Sequence, residues 1–176
     1  MRKVIGVSLG LAGLAVLSAH AHAANSTRIQ KTFNNWRVDC AEVDNKSRRC
    51  ALQYSLVNKK NNQIVFSWMV VPKTKDSPTP PQAVIRTPTG VALNDGISVV
   101  FAGAEPIKVQ YKTCGTRGCI AEVDFSDAWI KAFGSKPTVT VNYKAVSGTP
   151  IKHDLDLKNF QEAYNYYVQQ MKAPIQ

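Results

Sequence analysis

Residues 107–125 constrain this chain more than any other stretch. Ile107, Val109, Tyr111 and Thr113 alternate with Lys108, Gln110 and Lys112; beyond Cys114-Gly115-Thr116-Arg117-Gly118-Cys119, Ala121, Val123 and Phe125 alternate with Glu122 and Asp124. Alternation with period 2 marks a strand with one buried face, and two glycines in the connection supply the positive φ angles of a tight turn. The pattern predicts an antiparallel hairpin stitched by a Cys114–Cys119 disulfide, because cross-strand neighbours lie about 4.5–5.5 Å apart, a span that a disulfide accepts. Uninterrupted pairing would set Tyr111 against Glu122 and mix the two faces. A one-residue bulge beside the disulfide is expected instead, pairing Tyr111 with Val123 and Val109 with Phe125.

The other cysteines, Cys40 and Cys50, bracket the first hairpin of the folded region. Residues 1–23 join Arg2-Lys3, an apolar run from Val4 to Leu17 and the small-residue pattern Ala21-His22-Ala23, the make-up of a secretory signal peptide. Cleavage after Ala23 is expected, with Ala21 and Ala24 as alternatives. No later apolar run reaches the roughly 18 residues needed to span a bilayer. Residues 24–176 are then one exported β-rich domain. Four cysteines allow three pairings, and the short spacings favour Cys40 with Cys50 and Cys114 with Cys119 as structural disulfides. Cys-x4-Cys across a hairpin lacks the Cys-x-x-Cys at a helix start that lowers a thiol's pKa, so redox chemistry is not expected. The spacings also give no zinc set, since His153 is the only histidine beyond residue 23, and neither metal nor cofactor is expected.

Without Arg2 and Lys3, twenty Lys and Arg face twelve Asp and Glu, a net charge of +8. That favours anionic partners. The cations come in short pairs, Arg48-Arg49, Lys59-Lys60, and Lys73 with Lys75, without the basic runs and interleaved aromatics of a nucleic-acid binder. Peripheral contact with a membrane surface stays open, and the oligomeric state is not legible.

Along the chain, Asn25–Lys31 reads as a loose leader and Phe33–Cys40 as the first strand, with Trp36, Val38 and Cys40 on one face. Asn45–Arg49 reads as a polar loop, Cys50–Val57 as the returning strand and Asn58–Asn62 as a turn. Ile64–Val71 is the most continuously apolar stretch and is expected to be a central strand buried on both faces. Pro72–Pro81 cannot donate regular ladder bonds and reads as an extended surface loop. Short strands are expected at 83–86, 91–93 and 97–101, with Asn94-Asp95-Gly96 as a hairpin turn. Ser126 can cap a short helix through Phe133, closed by Gly134. Strands follow at 138–145 and 151–157. Phe160, Ala163, Tyr164, Tyr167, Val168 and Met171 then recur at helical spacing, an amphipathic helix whose stripe packs on the sheet core.

Several spaced features add up to a family resemblance: Trp36-x-Val38-x-Cys40, Cys50-x-Leu52, Thr87-Pro88-x-Gly90-Val91-x-Leu93 with Gly96-Ile97, the Cys114–Cys119 pair, and Leu155-x-Leu157-x-x-Phe160-x-x-Ala163. Together they resemble the invasion-associated locus B family over most of the exported chain. Asn159 departs from the glycine usual before this phenylalanine. The resemblance implies a small exported bacterial envelope protein with a disulfide-containing β-rich fold and a role in virulence or host invasion. It carries no catalytic residues.

The chain is thus expected to be an all-β, disulfide-braced antiparallel β-sandwich or barrel-like domain with a short helix and a C-terminal amphipathic helix. Its expected role is non-catalytic binding, with Arg48, Arg49, Lys59, Lys60 and Arg117 on loops meeting a protein or an anionic envelope or host-surface component. One alternative is an envelope hydrolase using His153 or the Asp154 and Asp156 pair, which share a strand face about 7 Å apart. Its requirement is a concave pocket around those side chains. The other is a subunit of an envelope assembly, docking through a sheet edge or the Tyr164, Tyr167 and Met171 face.

Overall fold

The computed structural model describes residues 28–44, 47–73 and 81–174, so the expected signal peptide and most of the Pro72–Pro81 loop lie outside the described residues. The larger of two open sheets is built from β1 (Arg28–Phe33), β2 (Trp36–Asp44), β3 (Ser47–Val57), β4 (Ile64–Val71), β5 (Gln82–Thr87), β8 (Tyr111–Gly115) and β9 (Gly118–Asp124). Their order across the sheet is β1-β2-β3-β4-β5-β9-β8. Every pairing in it is antiparallel. β4 holds the middle of this order, as its apolar composition predicts, and buries Phe66, Trp68 and Val70 completely. Its other face is only half covered: Val65, Met69 and Val71 are partly exposed beside a buried Ser67.

The smaller sheet is built from β6 (Ile97–Phe101), β7 (Ile107–Val109), β10 (Thr138–Lys144) and β11 (Pro150–Asp156), in the order β11-β10-β6-β7. β11 runs across the larger sheet. The His153 ring lies 5.0 Å from Phe66 of β4, and three residues on, the Asp156 carbonyl accepts from the Trp36 indole at the start of β2. Three residues of strand cover about 10 Å, the width of two strand spacings, so the sheets cross steeply. Two helices fill the space beside the smaller sheet: α1 (Asp127–Ser135) and α2 (Phe160–Lys172). Trp36, Trp68, Phe125, Phe133 and Phe160 meet there with ring centroids 5.0–6.4 Å apart, mostly edge to face. Each such pair contributes about 0.5–1.5 kcal/mol beyond its buried area. α2 buries Phe160, Ala163 and Tyr167 against this core, as its periodicity predicts.

Several local expectations need correction. The stitched hairpin forms and is bulged, but Tyr111 pairs with Ala121 and not Val123, with Lys112 as the extra residue. Val109 leaves Phe125 altogether and pairs with Ile97 in the smaller sheet. A Cβ on Gly96 would lie 2.9 Å from the Val109 carbonyl oxygen, so the glycine permits the close approach that draws residues 107–109 to β6. Residues 28–31 are no loose leader. They form an edge strand joined to β2 by an Asn34-Asn35 turn, with Asn34 at φ 53°. The segment 91–96 holds one bridge, Val91 to Ala145, and a single 3₁₀ turn at Leu93–Asp95, so Asn94-Asp95-Gly96 does not turn a hairpin. Gly134 does not close α1; it sits inside the helix, facing the Gln161 side chain of α2. Neither sheet closes into a barrel.

Candidate functional site

The five expected binding cations fall at opposite ends of the larger sheet. Lys59 and Lys60 lie in the β3–β4 turn and Arg117 in the β8–β9 turn, on the same end as Asn34-Asn35. Arg48 and Arg49 lie at the other end. The stretch of strand from Arg48 to Val57 spans about 30 Å, so the five cannot act as one patch. The two arginines are also not on a loop, because β3 starts at Ser47 and its ladder with β2 runs outward past Cys40 and Cys50.

That extension of β3 creates the site. β3 pairs with β4 only as far as Leu52 opposite Val70, while it continues along β2 to Ser47 opposite Asp44. Continuing the β4 register would put Pro72 opposite Cys50, and proline has no N–H to donate, so the chain turns away. A notch opens between the end of β3 and the departing Pro72-Lys73. It encloses about 470 Å³, lined by Asp39, Ala41, Arg48, Arg49, Cys50, Ala51, Val71, Pro72, Lys73 and, from α2, Met171. The Cys40–Cys50 disulfide, with Cα atoms 4.0 Å apart, ties β2 to β3 beside it.

Alternation along β3 gives the arginines different surroundings. Arg48 shares the inner face with buried Cys50 and Leu52, and its side chain is only 8% exposed. Its Nη2 donates to Glu42 Oε1 and its Nη1 to Gln170 Oε1 of α2, each at 3.3 Å. Nε is buried with no partner among the described residues. Both bonds are longer than the usual 2.7–3.2 Å or so, and an unsatisfied buried donor costs about 1–3 kcal/mol. This guanidinium is positioned but not saturated. Arg49 points to the outer face, is exposed and makes no ion pair among the described residues. Lys73 pairs with Asp124 at 2.8 Å, with both side chains exposed, a bond worth at most about 1 kcal/mol and easily exchanged. Asp39 is spoken for: Arg28 Nε donates to it at 2.9 Å and Gln30 at 2.8 Å, and the Arg28 hydrogen bonds hold its carboxyl below the usual range. Along the notch, Arg49 therefore shares the outer face with Ala41, Ala51 and Val71, while the inner guanidinium lies on the face that Met171 of α2 covers.

Arg48 and Arg49 were visible in the sequence as a basic pair. Lys73, read in the sequence with Lys75, and Met171, read as part of the helical stripe, are joined to them only by the register; Pro72 directly after the central strand was the one signal that the ladder breaks there.

His153, Asp154 and Asp156 do not assemble. His153 is half-buried between Phe66 and Tyr143, its Nε2 in a 3.1 Å hydrogen bond with the Tyr143 hydroxyl, and burial lowers its pKa. Burial also pushes the Tyr143 phenol up to about 12. Asp154 accepts from Thr140 at 2.5 Å and pairs with Lys152, whereas Asp156 accepts from Asn34 at 2.9 Å and from the Lys158 amide. A second concavity of about 240 Å³, lined among others by Asp95, Ser98, Lys108, Asn142 and Lys144, includes none of the three. Among the described residues no helix is long and apolar enough to cross a membrane.

These features define a class: a disulfide-braced, two-sheet β-protein with an arginine-lined notch where its largest sheet frays. The family model for the invasion associated locus B (IalB) protein matches residues 36–167, and the chain belongs to that family. The crystal structure of invasion associated protein b from Bartonella henselae superposes with a TM-score of 0.67 at 18% identity, covering 82% of this chain and 97% of that one, a likeness of fold. No curated protein matches the chain.

Proposed function

We propose that the chain is a non-catalytic binding protein of the bacterial envelope, periplasmic or cell-surface once residues 1–23 are removed, which contacts an anionic envelope component or host factor. Two structural disulfides suit an oxidising compartment, and the family's name supports an invasion-associated role. The observation that carries the reading is Arg48: a charged side chain 8% exposed, on the wall of a cavity of about 470 Å³ beside Arg49, with no partner for its Nε and no ion pair for Arg49 among the described residues. A guanidinium offers five donors in a rigid fork that matches carboxylate and phosphate oxygens. Placed there, it is ready for an anion that has an apolar part to cover Ala51, Val71 and Met171. Lys59, Lys60 and Arg117, at the far end, add to the field that steers an anion and not to the contact.

The test is capture from envelope extracts on the immobilised exported chain, eluted with a salt gradient, beside Arg49→Glu and Lys59→Glu/Lys60→Glu. A partner released by moderate salt, lost with Arg49→Glu and kept by the lysine variant supports the proposal. A partner indifferent to salt and to Arg49→Glu contradicts it.

A further inference from the structure

Cys40 and Cys50 stand directly opposite each other with Cα atoms 4.0 Å apart, the close spacing of a non-hydrogen-bonded pair in an antiparallel ladder. Residues in such a pair turn their own N–H and C=O away from each other. On β3 the backbone groups of Cys50, and of Arg48 two residues along, therefore point to the β4 side. The same parity explains why Leu52, the next residue in that series, finds Val70 there. Beyond Leu52, no strand among the described residues pairs with β3 on the β4 side. Arg48 and Cys50 thus present two N–H and two C=O groups into the notch, about 6.8 Å apart, the repeat of a strand edge.

We infer that the notch receives an extended peptide segment of a partner protein, added as a short strand along Arg48 and Cys50, with an acidic side chain or terminal carboxylate seated against Arg49 on the outer face. This deepens the reading above and rests on it. Strand addition draws affinity from main-chain bonds and specificity from alternate side chains. Here the alternate positions meet Ala41, Ala51 and Val71 on the outer face and Met171 on the inner. The charge fits an acidic peptide: around the notch Glu42, Asp39 and Asp124 are already paired with Arg48, Arg28 and Lys73, and among the described residues Arg49 is the cation left over there.

The test is residue-resolved amide hydrogen exchange on the exported chain, free and with the acetylated peptide Val-Thr-Val-Thr-Glu at about 1 mM. In the free chain the Arg48 and Cys50 amides should exchange faster than those of Arg49 and Ala51, which are bonded to β2. The peptide should slow Arg48 and Cys50 by about tenfold or more and leave Arg49 and Ala51 unchanged. N-methylation of the peptide at alternate residues should abolish the effect in one alternation only. The inference is overturned if Arg48 and Cys50 are already protected in the dilute free chain, which would mean that its own residues fill the edge. Protection that grows with protein concentration alone would overturn it in favour of a second copy. Absence of slowing would also overturn it; in that case butyl phosphate separates the two readings. If that anion shifts the Arg48 and Arg49 resonances, anion binding stands without the strand, and if it does not, both fall.

Discussion

Replacing Arg48 by methionine should change stability by no more than about 1 kcal/mol downward and about 2 kcal/mol upward while removing its ligand affinity. The guanidinium is buried with two hydrogen bonds at the long limit of 3.3 Å and a bare Nε. Losing those bonds costs about 1–2 kcal/mol, and removing the unsatisfied donor regains about 1–3 kcal/mol. Glu42, with its side chain 18% exposed, can recover water, and methionine fills the volume of the arginine stem at little cost. The net expectation lies between about 1 kcal/mol of destabilisation and about 2 kcal/mol of stabilisation, near the outcome of apolar replacements of buried ion pairs. Glu42→Gln should act the other way, destabilising by about 1–3 kcal/mol because it leaves the buried cation without its counter-charge. The assay is urea unfolding of the three proteins with equal m-values. Destabilisation by Arg48→Met of more than about 2 kcal/mol would show that the arginine is a structural tie and refute the reasoning.

Four further outcomes follow from the same contacts. His153 is held below its usual 6.5 by burial, so stability is complete above that value and falls as the pH drops through the folded-state pKa, where the unfolded chain binds a proton that the folded one refuses; the slope should not exceed about 1.4 kcal/mol per pH unit. Since no other histidine lies beyond residue 23, His153→Gln should flatten the urea midpoint between pH 5 and 7, and a persistent slope there would assign it elsewhere. Removing the disulfides separately, by Cys114→Ala/Cys119→Ala and Cys40→Ala/Cys50→Ala, should cost about 2 and 3 kcal/mol respectively, following their separations of 5 and 10 residues; a reversed order in denaturant unfolding would contradict the loop-closure argument. Gly118 sits at φ 123° with the Thr87 carbonyl oxygen 2.3 Å from where a Cβ would lie, so Gly118→Ala should lower stability by at least about 2 kcal/mol, and a neutral result in thermal unfolding would show that the hairpin slides freely. Asn159 is left-handed at φ 63°, so Asn159→Ala should cost about 1–2 kcal/mol while glycine, usual there in the family, stays close to wild type by urea midpoint.

The sequence carried faces better than neighbours. The apolar run at 64–71 did become the central strand, and the helical recurrence from Phe160 to Met171 did become a helix on the core, because each pattern fixes which side is buried. Alternation does not say which sheet a strand joins. Residues 107–113 alternate without interruption, yet the structure divides them at Gln110 between two sheets. The short strand at 28–33 carries only Ile29 and Phe33 as large apolar side chains, too few to stand out from a polar leader. The same limit applied to the site. Basic pairs were legible as charge, but two adjacent residues on a strand face opposite ways, so Arg48 went to the interior and Arg49 to solvent. Which cations would meet was a matter of register, decided where β4 ends and Pro72 turns away instead of pairing with Cys50. Asn159 was legible as a departure from the family pattern, and its left-handed backbone accounts for the glycine usual there.

The most direct measurement is a residue-resolved ¹H–¹⁵N titration of the exported chain with butyl phosphate, an anion joined to a short apolar chain. Saturable shifts confined to Ala41, Arg48 to Ala51, Val71 and Lys73 are expected, weakening as salt is raised. Shifts centred on the Asn58–Gln63 and Thr116–Arg117 turns, with the notch silent, would contradict it and return binding to the opposite end of the sheet.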